Sequence, residues 1–137
     1  ESLTFDSRSN SLIVVDTTNF CIRKISLKPG DNYKVTTIAG IPKQRGHLDG
    51  LSHQALFYEP HDVTIDEDGA IIVVESKNRC IRRISPDRTE VISTHFQDTY
   101  PKQVTVDPSQ HCIYISDTVN NRIRKVMISV RRTEDKK

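Results

Sequence analysis

Histidine and cysteine are the residues here whose chemistry best suits metal binding or nucleophilic catalysis. The sequence contains five histidines and three cysteines. No Ser-His-Asp, Cys-His, HExxH, P-loop or GxGxxG arrangement occurs. The histidines without any shared spacing are His47, His53, His95 and His111. The sequence therefore predicts no catalytic residues and no cofactor.

The cysteines, Cys21, Cys80 and Cys112, are odd in number and do not form a disulfide framework. Unpaired thiols mildly favour a reducing, intracellular compartment. We expect Cys21 and Cys80 to be small, half-buried apolar residues rather than a bonded pair.

Basic residues recur in pairs, at Arg23-Lys24, Arg82-Arg83 and Arg124-Lys125. Neighbouring side chains on a strand point to opposite faces, so we expect one residue of each pair at an interface and the other turned away. These six residues are candidates for partner binding, and an RNA backbone is one possible partner. Against RNA, the formal net charge is only +2 and aromatic residues make up 6% of the chain, which leaves few stacking platforms.

The basic pairs belong to a repeat that occurs three times. In each unit an alternating segment ends at an aspartate, and a β-branched run then ends at an acidic residue with an asparagine three positions later. The repeated residues are Asp6, Asp16 and Asn19, then Asp66, Glu75 and Asn78, and finally Asp107, Asp117 and Asn120. We expect the first aspartate of each unit to accept backbone N–H groups of the following turn. The second acidic residue should pair with a turn amide or an arginine.

Each unit is predicted to form three or four antiparallel strands. Asp66 and Asp107 are 41 residues apart, whereas Asp6 and Asp66 are 60 apart because of an insertion. Four strands about every 40–45 residues are typical of β-propeller blades. We therefore predict an all-β fold that forms an incomplete ring of about three blades. The predicted parts are blade 1 at about 1–40, a linker and blade 2 at about 41–95, blade 3 at about 96–130, and a charged tail at 131–137.

At these residues the sequence resembles the NHL-repeat family of β-propellers. The motifs that carry the resemblance are Asp16–Ile25 and Asp117–Val126, together with the linker segments Val35–Gly40, Leu48–Gly50 and Ala55–Phe57. The second unit departs from the pattern because Glu75-Ser76 replaces Asp-Thr. Cys21 and Cys80 stand where the family usually has arginine. The resemblance implies a non-enzymatic scaffold that presents loops at a propeller face to a protein partner.

His61 is a weak candidate for a metal ligand. Its surroundings, Phe57–Val63, resemble the zinc-binding segments of peptidyl-hydroxyglycine amidating lyases, which are also propellers and take one histidine from each of three blades. The third unit has Lys102 at the corresponding position. A zinc-dependent lyase is therefore the least favoured of three alternatives, after the protein-binding scaffold and RNA binding, and no metal site is predicted.

The stretch Ile41–Glu59 is the insertion that lengthens the interval between the first two units. It contains Arg45 and His47, which we add to the partner-binding candidates because loops on a rigid scaffold often carry function. We expect Ser52–Tyr58 to form one or two helical turns.

The length of the chain fits three blades, which is fewer than the roughly four to eight that close a propeller ring. The first residue is Glu rather than Met, and we expect the chain to be part of something larger. Its outer blade faces should then pack against further blades of the same or another chain. No apolar run approaches the ~18 residues of a membrane-spanning helix, so no membrane insertion is expected. No small-molecule substrate is indicated.

Overall fold

A computed structural model describes residues 2–128, and within them the chain forms three antiparallel sheets that follow one another in sequence. The first sheet contains β1 (Ser2–Asp6), β2 (Ser11–Asp16), β3 (Cys21–Ser26) and β4 (Val35–Ala39), with a 3-10 turn at Thr17–Asn19. The second contains β5 (Gly50–Leu51), β6 (Pro60–Ile65), β7 (Ile71–Glu75), β8 (Cys80–Ile84) and β9 (Glu90–His95). The third contains β10 (Pro101–Asp107), β11 (Cys112–Asp117) and β12 (Arg122–Met127). The predicted all-β class is confirmed.

The sheets are meanders in which sequential strands pair with each other. The first has the strand order β1-β2-β3-β4, and the third has the order β10-β11-β12. The second adds one strand from the insertion, because β5 pairs with β9 at its edge to give the order β5-β9-β8-β7-β6. This fifth strand was not predicted. The charged tail and the end of the predicted third blade lie outside the described residues.

The three sheets stack face to face around two separate apolar clusters. The first cluster joins Ile13, Val15 and Ile22 of the first sheet to residues such as Val73 of the second. The second cluster joins Ile72, Val74 and Ile81 to the third sheet. All five positions of β7 are buried, as its continuous apolar run predicted, because this strand has a sheet on each side. In β2, by contrast, buried and half-buried positions alternate.

A side-chain hydroxyl at the same repeat position links the first blade to the second and the second blade to the third. Thr17, which follows the acidic residue at the end of β2, donates a hydrogen bond to the carbonyl oxygen of Pro60, 2.9 Å away. Ser76, in the equivalent position after β7, donates to the carbonyl oxygen of Pro101 at 2.5 Å. Serine therefore does in the second unit what threonine does in the first. These two bonds are called the seam hydrogen bonds below.

One carboxylate touches all three sheets. The Asp62 side chain, on β6, accepts a hydrogen bond from the Ser2 hydroxyl of the first sheet. It also accepts the Val104 backbone N–H of the third sheet at 2.9 Å. The relative position of the blades is thus fixed by polar contacts as well as by the two apolar clusters.

Candidate functional site

The segment between the first and second blades, residues 41–59, is here called the connecting loop. It folds back on itself, so that the Gly46 N–H donates to the Phe57 carbonyl at 2.9 Å and the Leu56 N–H donates to the Leu48 carbonyl at 3.1 Å. Of the one or two helical turns predicted at Ser52–Tyr58, a single turn forms at 52–54, where the Ala55 N–H donates to the Leu51 carbonyl at 2.9 Å. The turn does not continue, because bridge pairing with the first arm of the loop holds Leu56 and Phe57 in an extended form.

Arg82, on β8, holds this loop against the second blade. Its guanidinium is fully buried and donates to the carbonyl oxygens of Leu56 (2.8 Å) and Leu48 (2.7 Å). It also lies 3.1 Å from an Asp49 carboxylate oxygen. The Phe57 ring packs over the guanidinium carbon, with 4.4 Å to the ring centroid. One buried cation therefore contacts both arms of the connecting loop.

Glu75 is the partner that balances this buried charge. Its side chain is fully buried, and one carboxylate oxygen lies 2.8 Å from Arg82 Nη1. The other oxygen accepts the Tyr58 backbone N–H at 2.6 Å and the Asn78 amide at 3.1 Å. Because Tyr58 lies near the end of the connecting loop, the Glu75–Arg82 pair fixes this loop at three backbone positions, the Tyr58 N–H and the carbonyls of Leu56 and Leu48.

The first and third blades repeat this arrangement with different arginines. In the first, Arg23 Nε lies 3.0 Å from Asp16, and Asn19 donates to the same carboxylate. In the third, the partner of Asp117 is Arg122, at 2.7 Å.

Arg122 lies directly opposite Asp117, at the register position that Cys21 and Cys80 occupy in the other blades. The cysteines leave that position without a charge. In those two blades an arginine two residues further along the strand forms the pair instead.

The hydrogen-bond partners of these carboxylates, the arginines among them, also lower the carboxylate pKa values. Burial alone would raise the pKa of Asp16, but hydrogen bonds from Asn19 and Arg23 outweigh it and hold that pKa below its usual range. For Asp117 the opposing contributions, from the Tyr100 backbone N–H, Asn120 and Arg122, lower the pKa to about 2. Both carboxylates are therefore ionised at neutral pH, which is the state that pairs with arginine.

The first aspartate of each unit binds the turn that follows it. Asp6 accepts the Arg8 N–H, Asp66 accepts the N–H groups of Asp68 and Ala70, and Asp107 accepts the N–H of Ser109. The three carboxylates therefore stabilise the β1–β2, β6–β7 and β10–β11 turns.

The remaining basic candidates do not share one surface. Lys24 is half-buried, Arg83 lies 3.5 Å from Asp66, and Lys125 is exposed and donates to Gln110. Arg124 donates to the Thr99 hydroxyl at 2.5 Å.

Arg82 departs furthest from the expectation of partner binding. It is fully buried and all its described contacts are internal, so it supports the loop from inside the blade. The periodic pattern in the sequence gave no signal that distinguishes it from Arg23, because burial here depends on the insertion that covers it.

The connecting loop carries the exposed candidates. Arg45 and His47 are exposed, and Arg45 lies over the Tyr58 ring at 5.4 Å. Leu48 and Leu51 are 49% and 51% exposed. A loop whose backbone is anchored by Arg82 and Glu75 thus displays two cationic or polar residues beside two aliphatic ones.

One grouping of metal-ligating side chains occurs among residues 2–128, and it does not include His61. It consists of His47, Cys80 and His95, whose ligand atoms lie within 4.8 Å of one another. The sequence gave no spacing signal for it because the three residues come from separate elements. Only the strand register, which pairs Cys80 with His95, brings them together.

Comparison with known proteins supports the fold described above. Solved structures that superpose on this chain are propeller-type folds. One is a protein of unknown function from Bacteroides thetaiotaomicron, with TM-score 0.77 and 21% identity over 90% of this chain and 34% of that one. Another is an auxiliary nutrient binding protein from Bacteroides ovatus, with TM-score 0.74 and 16% identity over 90% of this chain and 36% of that one. A luciferin-regenerating enzyme aligns with TM-score 0.64 and 14% identity over 85% of this chain and 36% of that one.

The three sheets are therefore consecutive blades of a β-propeller. Residues 57–84 match the family described as NHL repeat, which confirms the resemblance at the second blade. No curated protein matches the chain. The chain spans about a third of the length of the solved structures it matches. Within the described residues no helix is both long and apolar enough to cross a membrane.

Proposed function

We propose that this chain is a non-enzymatic propeller module that binds a protein partner through its connecting loop. The observation that carries the proposal is the anchoring of this loop by Arg82, which binds the backbone carbonyls of Leu48 and Leu56, while strand pairing with β9 holds Leu51. A loop that is ordered before binding loses less conformational entropy when a partner docks. Exposed aliphatic side chains beside Arg45 give the mixture of apolar and cationic groups that protein interfaces use.

The buried charges support a binding role rather than catalysis. Glu75 and Arg82 use their hydrogen-bonding groups on each other and on loop carbonyl and N–H groups. They therefore face the interior of the blade and not a substrate pocket. An auxiliary nutrient binding protein and a luciferin-regenerating enzyme both share this fold, so the choice between binding and catalysis depends on this loop and not on the fold.

A double substitution in the loop tests the proposal. Leu48→Asp with Leu51→Asp should abolish binding of the partner, because two carboxylates replace the aliphatic contacts. The fold should tolerate both substitutions, since both side chains are exposed in the free protein. Affinity purification from the source cells with quantitative mass spectrometry compares wild-type and variant full-length protein. The control is Lys28→Asp with Lys34→Asp, which adds the same two carboxylates at exposed positions of the β3–β4 hairpin.

The expected result is a protein whose retention is lost with the loop variant and kept with the control. Its affinity for the loop variant, measured with both purified proteins, should be at least about tenfold weaker than for wild type. Equal affinity for both variants would contradict the proposal. Retention that disappears on ribonuclease treatment would contradict it too, and would favour RNA binding instead.

A further inference from the structure

Three potential metal ligands meet where the connecting loop crosses the second blade. Cys80 begins β8 and His95 ends β9, and these two residues are directly opposite in the strand register. Their side chains therefore project from the same face of the sheet. His47 comes from the connecting loop, next to Leu48, whose carbonyl oxygen accepts a hydrogen bond from Arg82. Two elements fixed by backbone pairing and one loop fixed by a buried arginine thus bring these side chains together.

The distances suit a first-row metal ion after a small contraction. The ligand atoms of the three residues lie within 4.8 Å of one another, and the two imidazole rings are 4.9 Å apart between centroids. Zinc bonds of about 2.0–2.3 Å in a tetrahedron place neighbouring ligand atoms roughly 3.3–3.6 Å apart. The imidazoles of His47 and His95 are exposed and are able to rotate by that amount, whereas Cys80 is buried.

The charges around the cluster also favour a divalent cation. Glu75 Oε2 lies 3.6 Å from Cys80 Sγ, and Arg82 lies 2.8 Å from Glu75 and 3.1 Å from Asp49. When the Cys80 thiol is ionised, the thiolate and the carboxylates of Glu75 and Asp49 carry three negative charges. The Arg82 guanidinium balances one of them, which leaves two uncompensated. A bound Zn²⁺ neutralises them, which removes the cost of a buried thiolate beside a carboxylate.

We propose that His47, Cys80 and His95 form a zinc-binding site that fastens the connecting loop to the second blade. Zinc favours imidazole nitrogen and thiolate sulfur, and three protein ligands leave its fourth position to water. The zinc–sulfur bond forms as the thiol proton leaves to solvent, with no change of oxidation state. This inference is independent of the proposed protein-binding role, because it concerns how the loop is held and not what it contacts.

The first blade supplies an internal comparison. Cys21 lies opposite Asp16 in the same register as Cys80 opposite Glu75, and it is equally buried. No histidine joins it in a metal-ligating group within residues 2–128. Cys21 is therefore the matched control for Cys80, and the exposed His53, in the same loop as His47, is the control for the histidines.

Cobalt titration of the purified, reduced full-length protein tests the site. Co²⁺ should bind one-to-one and produce a sulfur-to-cobalt charge-transfer absorption, and Zn²⁺ should displace it. Cys80→Ser should lose the absorption, and His47→Ala or His95→Ala should weaken binding by about tenfold or more. Cys21→Ser and His53→Ala should titrate like the wild type. Zn²⁺ should also raise the melting temperature of the wild type, and by less in the histidine variants.

The opposite results would overturn the proposal. These are the absence of the charge-transfer absorption in the wild type, its persistence in Cys80→Ser, or equal losses in the His53→Ala and His95→Ala variants. If Cys80→Ser fails to fold, the two histidine variants decide the question, since both side chains are exposed and their removal leaves no core cavity.

Discussion

Arg82 is the residue on which the loop and the second blade both depend. A guanidinium that is removed from water must recover its solvation from protein groups, and Arg82 does so with Glu75, Asp49 and two backbone carbonyls. Arg23 occupies the same repeat position, but its pair with Asp16 is about a quarter exposed. The same motif therefore has different energetic consequences in adjacent blades.

Arg82→Met should lower the free energy of unfolding by about 3–5 kcal/mol, because it leaves the Glu75 carboxylate buried without its cation. Urea denaturation measures this loss. Arg23→Met is the matched control, and it should cost about 0–1 kcal/mol because solvent already screens that pair.

The double variant Glu75→Gln with Arg82→Met should be more stable than Arg82→Met alone, since the amide keeps an acceptor for Tyr58 and carries no charge. Equal losses for Arg23→Met and Arg82→Met would show that burial of the pair is not what matters.

At the scale of strands and turns, the end of β4 controls where the connecting loop begins. Gly40 has a positive φ of 88°, and its N–H donates to the Ser52 carbonyl at 3.0 Å. A Cβ at this position would lie 2.8 Å from the Phe20 carbonyl oxygen and 3.1 Å from Cys21 Cα. Both contacts are with backbone, which cannot turn aside as a long side chain can.

Gly40→Ala should therefore destabilise the protein by more than the about 1–2 kcal/mol that left-handed backbone costs an alanine. Gly30→Ala is the control, because Gly30 has nearly the same φ, 90°, and nothing within 4 Å of its Cβ position. Thermal unfolding of both variants gives the comparison. A loss for Gly40→Ala no larger than that for Gly30→Ala would mean that the close approach is relieved at little cost.

The sequence predicted the strands well and the loop poorly, for physical reasons. Val35–Ala39 and Ile71–Glu75 follow from apolar, β-branched runs between turn residues, and such patterns are local. The connecting loop depends on contacts distant in sequence, such as those of Arg82 with Leu48 and Leu56. Leu56 and Phe57 gave a helical expectation because an isolated apolar pair does not distinguish a helix from an extended arm. The closeness of His47 to His95 depends on the same contacts.

For the whole molecule, the first and third blades each expose large apolar side chains on an edge strand. On β1, Leu3 and Phe5 are 60% and 55% exposed, and on β12, Ile123 and Met127 are 68% and 63% exposed. The chain spans about a third of the propeller structures it matches, and three blades are fewer than the roughly four to eight of a closed ring. We expect neighbouring blades, from the same or another chain, to cover these faces.

Leu3→Asp with Phe5→Asp in the full-length protein measures whether the face of the first blade is covered. If a neighbouring blade packs there, two buried carboxylates should cost about 2 kcal/mol or more, seen as a lower melting temperature. Lys28→Asp, at an exposed position, should change the stability by no more than about 0.5 kcal/mol. A change that small in the double variant would mean that this face is open to solvent and the expectation is wrong.

The seam hydrogen bonds from Thr17 and Ser76 have a consequence for how a propeller gains blades by gene duplication. Each bond joins a hydroxyl at a fixed repeat position of one blade to the carbonyl of the proline that begins the next blade. The donor and the acceptor therefore have the same repeat positions at both junctions. A duplicated gene segment encoding one blade therefore carries both halves of its own junction, donor and acceptor. The inserted copy thus brings its own hydrogen-bonding groups for the junctions on both of its sides. Thr118 follows Asp117 at the equivalent place in the third blade and would be the donor for one more.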